Sequence, residues 1–160
     1  MKILYLVRHA AAGGAKDGID LHRPLSPDGR KQARRLAIRL VNRRVRPYLV
    51  LTSPADRAME TARCIAKAIG MDESGLLKDD RIYDASDADG LLAVVRERCD
   101  SEGTVFLVGH QPVIGELTLV LVPTFCAPFP KAGTACIALD VLRWKDAGYG
   151  KGELVWFEAP

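Results

Sequence analysis

The sequence has no long apolar run, no metal-spaced cysteines and few aromatic residues, and each shortage narrows what the chain can be. Aromatics make up 6% of the 160 positions. None is interleaved with the arginines of the basic segment 30–46, so the stacking platform of a single-strand nucleic-acid binder is missing. The net charge of +3 is too mild to call for a nucleic-acid partner by itself. The four cysteines, Cys64, Cys99, Cys126 and Cys136, form no C-x-x-C pair and stand at no zinc spacing with a histidine. That reads as reduced thiols and a cytoplasmic protein. The opening "MKILYLVRHA" loses its apolar character at Arg8 after five residues, too soon for a signal peptide. Nothing approaches the ~20 apolar residues of a membrane span, so no membrane partner is expected. "GGAKDG" lacks the G-K-[ST] of a Walker A loop, which disfavours nucleotide hydrolysis by that route.

What the chain does have is an ordinary globular balance, 48% hydrophobic and 27% charged. Its length suits one domain over residues 1–160, large enough to bury a core without disulfide or metal support. Lys2–Val7 reads as a buried strand, followed by a glycine-containing loop over Ala11–Arg23. Ser26-Pro27 is an N-cap with proline at the first helical position. The helix that follows carries Ala33, Leu36, Ala37, Leu40 and Val41 on one face, a row of arginines and Lys31 on the other, and stops before Pro47.

Tyr48–Thr52 reads as a second strand. Ser53 and Asp56 suggest a capping box for a second helix, with Ala58, Ala62, Ile65, Ala66 and Ile69 inward and Gly70 at its end. Met71–Ala85 reads as a connection with room for a short strand. Ser86 and Asp89 suggest the cap of a third helix through Cys99. Thr104–Val108 is a third strand, Val113–Leu121 a fourth helix, and Ala135–Leu142 and Glu153–Phe157 close the chain. Strands alternating with helices predict a three-layer α/β/α sandwich around a mostly parallel sheet.

Arg8 and His9 follow the first strand, Ser53 to Arg57 the second, and His110 the third. Sites in open α/β sheets form beyond the carboxyl ends of the strands. Three separated segments therefore deliver two arginines and two histidines to one edge. Guanidinium forks match phosphate or carboxylate oxygens, and helices starting near Pro54 and Pro112 add backbone N–H groups. The expectation is an anion hole for a phosphoryl group. No acidic ligands gather with these histidines and the arginines would repel a cation, so no metal is expected.

"LVRHA", "SPADRAMETA" and "VGHQP" resemble the histidine phosphatase superfamily, the phosphoglycerate-mutase-like fold, from Lys2 to about Ala138. Ala10 stands where the family's R-H-G signature has glycine. The short length and "RPLSPDG" are similar to the compact SixA-like branch, the phosphohistidine phosphatases. The resemblance implies that His9 is the nucleophile, forming a phosphohistidine intermediate that water hydrolyses. It implies that Arg8, Arg57 and Arg23 bind phosphate and that His110 donates to the phosphoryl oxygens. Asp84 is the candidate general acid by position, in a loose motif. No cofactor is implied. The surroundings of His9 should hold its pKa low.

The short loops leave little material for a lid. The pocket should therefore be open, suited to a phosphorylated side chain on a protein surface, such as a histidine-phosphorylated signalling domain, more than to a small phosphomonoester. Lys131 is expected at the pocket mouth, and the basic helix face is a place where an acidic partner could dock. The alternative is a non-catalytic phosphate-binding regulatory module that uses the same pocket.

Overall fold

The first strand, β1 (Lys2–Arg8), is apolar throughout its middle because both of its faces are covered. It sits inside a six-stranded sheet, seen in a computed structural model that describes residues 1–99 and 103–160. The other strands are β2 (Leu49–Thr52), β3 (Leu76–Lys78), β4 (Thr104–Gly109), β5 (Thr134–Leu139) and β6 (Gly152–Glu158). Their order across the sheet is β3-β2-β4-β1-β5-β6. The first four positions pair in parallel, and β5 and β6 add an antiparallel side. The mostly parallel sheet expected from the sequence is thus present.

Alternation along each strand divides the core in two. Leu4, Leu6, Leu51, Val105 and Leu107 face one layer, packed under α4 (Ala88–Arg98) and α5 (Val113–Leu121) with Trp144. Tyr5, Val7, Val50, Phe106 and Val108 face the other, under α1 (Pro27–Asn42) and α2 (Asp56–Ala68). Tyr5 and Phe106 stack with centroids 4.4 Å apart on that second face.

Ser26 caps α1 as expected, its side chain accepting from the Gly29 N–H. Gly29 is needed there: a Cβ at this position would lie 1.8 Å from the Ala11 carbonyl oxygen, which accepts the Ser26 N–H. The helix ends at Asn42, four residues short of the expected Arg46. Arg44 turns the backbone left-handed at φ 55, and the Val45 N–H bonds back to Leu40, returning a buried side chain to the core. Val41 is exposed, since eight residues after Ala33 the 100° steps have carried it to the stripe's margin.

Two expected caps are corrected. Ser53 and Asp56 do not form a capping box: α2 begins at Asp56 itself, with Ala55 at its N-cap position and no side-chain cap. The Ser53 N–H is still bonded to the Val108 carbonyl, so Ser53 belongs to the strand end and lies too early to cap. For α4 the cap is Asp87, accepting from Gly90, in place of Ser86. The 71–85 connection is more ordered than expected, with β3 and a short helix, α3 (Asp80–Asp84). The fifth strand ends at Leu139, three residues before the expected Leu142.

Candidate active site

Register brings the strand ends level. Arg8 pairs with Gly109 across β1 and β4, and Thr52 pairs with Val108 across β2 and β4. The next residues, His9, Ser53 and His110, therefore leave the sheet side by side. The His9 N–H continues the ladder to the Gly109 carbonyl. The His9 and His110 rings lie 5.1 Å apart, tilted by 56°.

His9 is buried, and its Nδ1 is 2.7 Å from the Ala10 carbonyl oxygen. A carbonyl only accepts, so Nδ1 carries the proton and Nε2 keeps a free lone pair. Burial, then the charges of Arg57, Arg8 and Lys131, push the His9 pKa down to about 4 against the pull of the Ala10 bond. Burial is also the main cause at His110, which falls to about 3 with help from His9 and Arg57. Both imidazoles are neutral at neutral pH. His110 Nε2 lies 2.7 Å from Ser53 Oγ, while its Nδ1 is buried with no partner among the described residues.

Arg57 stands in the first turn of α2 and is buried. One turn later Thr61 donates to the Arg57 carbonyl and accepts the Ala10 N–H at 3.1 Å, tying the arginine's helix to the residue after His9. The Arg57 guanidinium donates to the Asp20 carbonyl at 2.8 Å and to Asp20 Oδ2 at 3.0 Å. The Tyr83 hydroxyl donates to the same oxygen at 2.9 Å, and Arg23 reaches Asp20 Oδ1 at 3.2 Å. These bonds, that of Tyr83 foremost, hold the Asp20 carboxyl down at about 2. Arg8 donates to the Phe129 carbonyl at 3.0 Å and keeps a buried Nε without a partner among the described residues. A cavity of about 360 Å³ opens here, lined by Asp20, Arg57, Tyr83, His110, Gln111 and Pro112 among others.

Arg8, His9, Arg57 and His110 are thus brought together, and Arg23 sits at the rim, also donating to the Gly13 carbonyl. Lys131 is exposed but close enough to His9 to act on its charge. Asp84 is exposed at the end of α3 and does not line the cavity, whereas its neighbour Tyr83 does. Sequence reasoning missed Asp20, Tyr83 and Thr61, and it gave Ser53 only a capping role. Thr61 had a signal in its spacing of one helical turn from Arg57. Asp20 had none beyond its place in a loop.

Among the described residues no group of three or more His, Cys, Asp or Glu side chains could hold a metal ion. No helix among them is long and apolar enough to cross a membrane.

The family model described as "Histidine phosphatase superfamily (branch 1)" matches residues 4–84. The phosphohistidine phosphatase SixA of Escherichia coli strain K12 is 28% identical over 142 residues, covering 86% of this chain and 85% of that one. Among solved structures, the SixA protein from Agrobacterium tumefaciens is 27% identical with a TM-score of 0.81, covering 99% of this chain and 98% of its own. The SixA protein from Nakamurella multipartitia is 28% identical with a TM-score of 0.84, covering 99% and 96%.

Proposed function

The chain belongs to the histidine phosphatase superfamily, branch 1, and from that premise we propose that it is a metal-independent phosphatase acting on phosphohistidine carried by a protein. The observation that carries the reading is the state of His9. It is buried, neutral, and has its Nδ1 proton committed to Ala10, which leaves Nε2 as a nucleophile beside two guanidinium groups.

In the first step Nε2 attacks phosphorus in line, a P–N bond to His9 forms, and the bond to the leaving group breaks with its electron pair. Water then attacks the phosphorylated His9, the P–N bond breaks, and inorganic phosphate leaves as His9 regains its lone pair. Arg8 and Arg57, with Arg23 from the rim, hold the phosphoryl oxygens and stabilise the charge spread over them in the transition state. His110 donates a hydrogen bond to the same group.

The leaving group is where the cavity lining favours a substrate. Its one carboxylate, Asp20, is held near a pKa of 2 and carries no proton to give at neutral pH. An alkyl phosphate needs its leaving oxygen protonated, while the imidazole of phosphohistidine is protonated readily by solvent. The reading therefore puts phosphohistidine ahead of sugar phosphates. The name of the E. coli relative points the same way. Asp84 stays the proposed general acid for alkyl phosphates alone, acting from outside this lining, and unchanged turnover of every substrate in a D84N variant would remove it. The partner in this reading is a histidine-phosphorylated protein in the cytoplasm.

The test is a panel of a phosphohistidine protein, an aryl phosphate and several sugar phosphates, assayed with EDTA present. Turnover of the first two, an acid-labile phosphoryl label on the protein, and loss of both in H9A are expected. Phosphate binding without turnover would replace the enzyme with a binding module.

A further inference from the structure

Ser53 directly follows β2 and is fully buried, its backbone N–H held by the Val108 carbonyl at 3.1 Å. Its Oγ accepts the Ala55 N–H at 3.2 Å and lies 2.7 Å from His110 Nε2. A hydroxyl has one proton and two lone pairs. Ala55 occupies one lone pair and fixes the oxygen's orientation. The proton needs an acceptor, and Nε2 of His110 is in reach.

Two arrangements of the Ser53–His110 bond exist for a neutral imidazole. If Nε2 carried the proton and donated to Ser53, the buried hydroxyl proton would be stranded and His110 Nδ1 would be an unmet lone pair. If Ser53 donates to Nε2, the Nδ1 proton alone is left without a partner among the described residues. Buried polar groups are paired wherever the structure allows it, so the second arrangement is favoured. The low pKa of His110, set mainly by burial, means the neutral form is the one that matters at neutral pH.

We propose that Ser53 is a positioning residue that fixes His110 as its Nδ1–H tautomer. The two histidines then play opposite parts. His9 donates a hydrogen bond from Nδ1–H to the Ala10 carbonyl and presents its Nε2 lone pair. His110 accepts the Ser53 hydroxyl's hydrogen bond at Nε2 and keeps its own proton on Nδ1 as the donor that a phosphoryl oxygen can engage. That last assignment rests on the phosphatase reading, while the tautomer itself does not.

The chain has three histidines, His9, His22 and His110, so imidazole nitrogens labelled with 15N can be assigned with H9Q and H22Q variants. Long-range 1H–15N correlation on the full chain at pH 7 is expected to find the His110 proton on Nδ1. In S53A it should move wholly or partly to Nε2. A wild-type His110 protonated on Nε2, or an S53A spectrum identical to wild type, would overturn the proposal. The wild-type spectrum decides the question even where the variant does not fold. In kinetics S53A should lower kcat, by less than the ~10²–10³ of deleting a donor outright. An unchanged kcat beside a shifted tautomer would overturn the donor role. Wild-type protein with an Nδ1–H His110 and no turnover of any phosphate would remove the phosphatase reading alone.

Discussion

Acidification from pH 7 to pH 5 bears on the two site imidazoles before it touches any carboxylate. His9 titrates at about 4 and His110 at about 3 when folded, whereas an unfolded histidine titrates near 6.5. Between these values the unfolded chain binds more protons, so stability is full above pH 6.5 and is lost as pH falls toward 4. A group moved from 6.5 to 4 costs the folded state about 2 kcal/mol at pH 5 and about 3 kcal/mol at pH 4.

The carboxylates act lower. Asp20, held near 2, and Asp79, held lower still by its bonds to Arg81 and Arg98, withdraw their support only below the ordinary carboxylate range. His22, raised by Asp17, has the opposite sign: its support is present below 6.5 and fades as pH rises through its folded pKa. The window from pH 4 to 6.5 therefore belongs to the site histidines.

Urea unfolding of wild type and H9Q at pH 7 and 5 measures this. Wild type should lose about 2 kcal/mol more than H9Q across that interval, a difference of ~1 M in midpoint at a slope near 2 kcal/mol/M. H9Q keeps the His110 contribution, because burial, its main cause, survives the substitution. Equal losses in the two proteins would refute a buried, neutral His9. The same pKa places the acid limb of kcat/KM near pH 4, well below an ordinary histidine's.

Arg57→Lys removes the planar fork while keeping the charge, and kcat/KM should fall ~10²–10³ in a steady-state aryl phosphate assay. A loss no larger than twofold would mean the fork is not used. Asp20→Asn relieves Arg57 of a competing carboxylate, so inorganic phosphate should inhibit about fivefold more tightly, the worth of a partly exposed ion pair near 1 kcal/mol. Weaker inhibition would instead make Asp20 the group that orients Arg57. Gly29→Ala forces the first turn of α1 away from Ala11, and thermal unfolding should register ~1–3 kcal/mol of destabilisation despite alanine's better helix propensity. Phe106→Ala removes a fully buried ring stacked on Tyr5, at a cost of ~3–5 kcal/mol in urea unfolding.

The sheet and the positions of Arg8, His9, Arg57 and His110 were legible because they depend on strong, local patterns. A continuous apolar run names a buried strand, and the residue after its end is fixed by counting. The same counting shows why two caps were misjudged. Serine with an acid three residues on satisfies the capping pattern at Ser53, but pairing of β2 with β4 keeps Ser53 extended at the strand end, a tertiary constraint that local sequence does not carry. Near α4, Ser86 and Asp87 are both competent caps, and only the trajectory out of α3 chooses between them. Asp20 was illegible for a stronger reason. Its function depends on bonds to Arg57 and Tyr83, 37 and 63 positions away, and the loop carrying it has no periodicity to aim it.

That aspartate also bears on how Arg57 is held. Arg57 is buried, and an uncompensated guanidinium in that position would cost several kcal/mol in lost hydration. Asp20 offsets this with its carboxylate and its backbone carbonyl, and it does so from a half-exposed position, at 50% side-chain exposure. A half-exposed anion can return to water when a phosphoryl group arrives, which a buried one could not do without its own desolvation cost. The arginine is therefore oriented by a partner that stands half in water. Arg8 is handled differently: it spends one N–H on the Phe129 carbonyl, a neutral acceptor, and keeps its buried Nε unpaired. Among the described residues no carboxylate pairs with Arg8, and burial lowers its pKa from the usual arginine value. In the phosphatase reading a dianionic phosphoryl group would meet both guanidinium groups, Arg57 by displacing the Asp20 carboxylate and Arg8 directly.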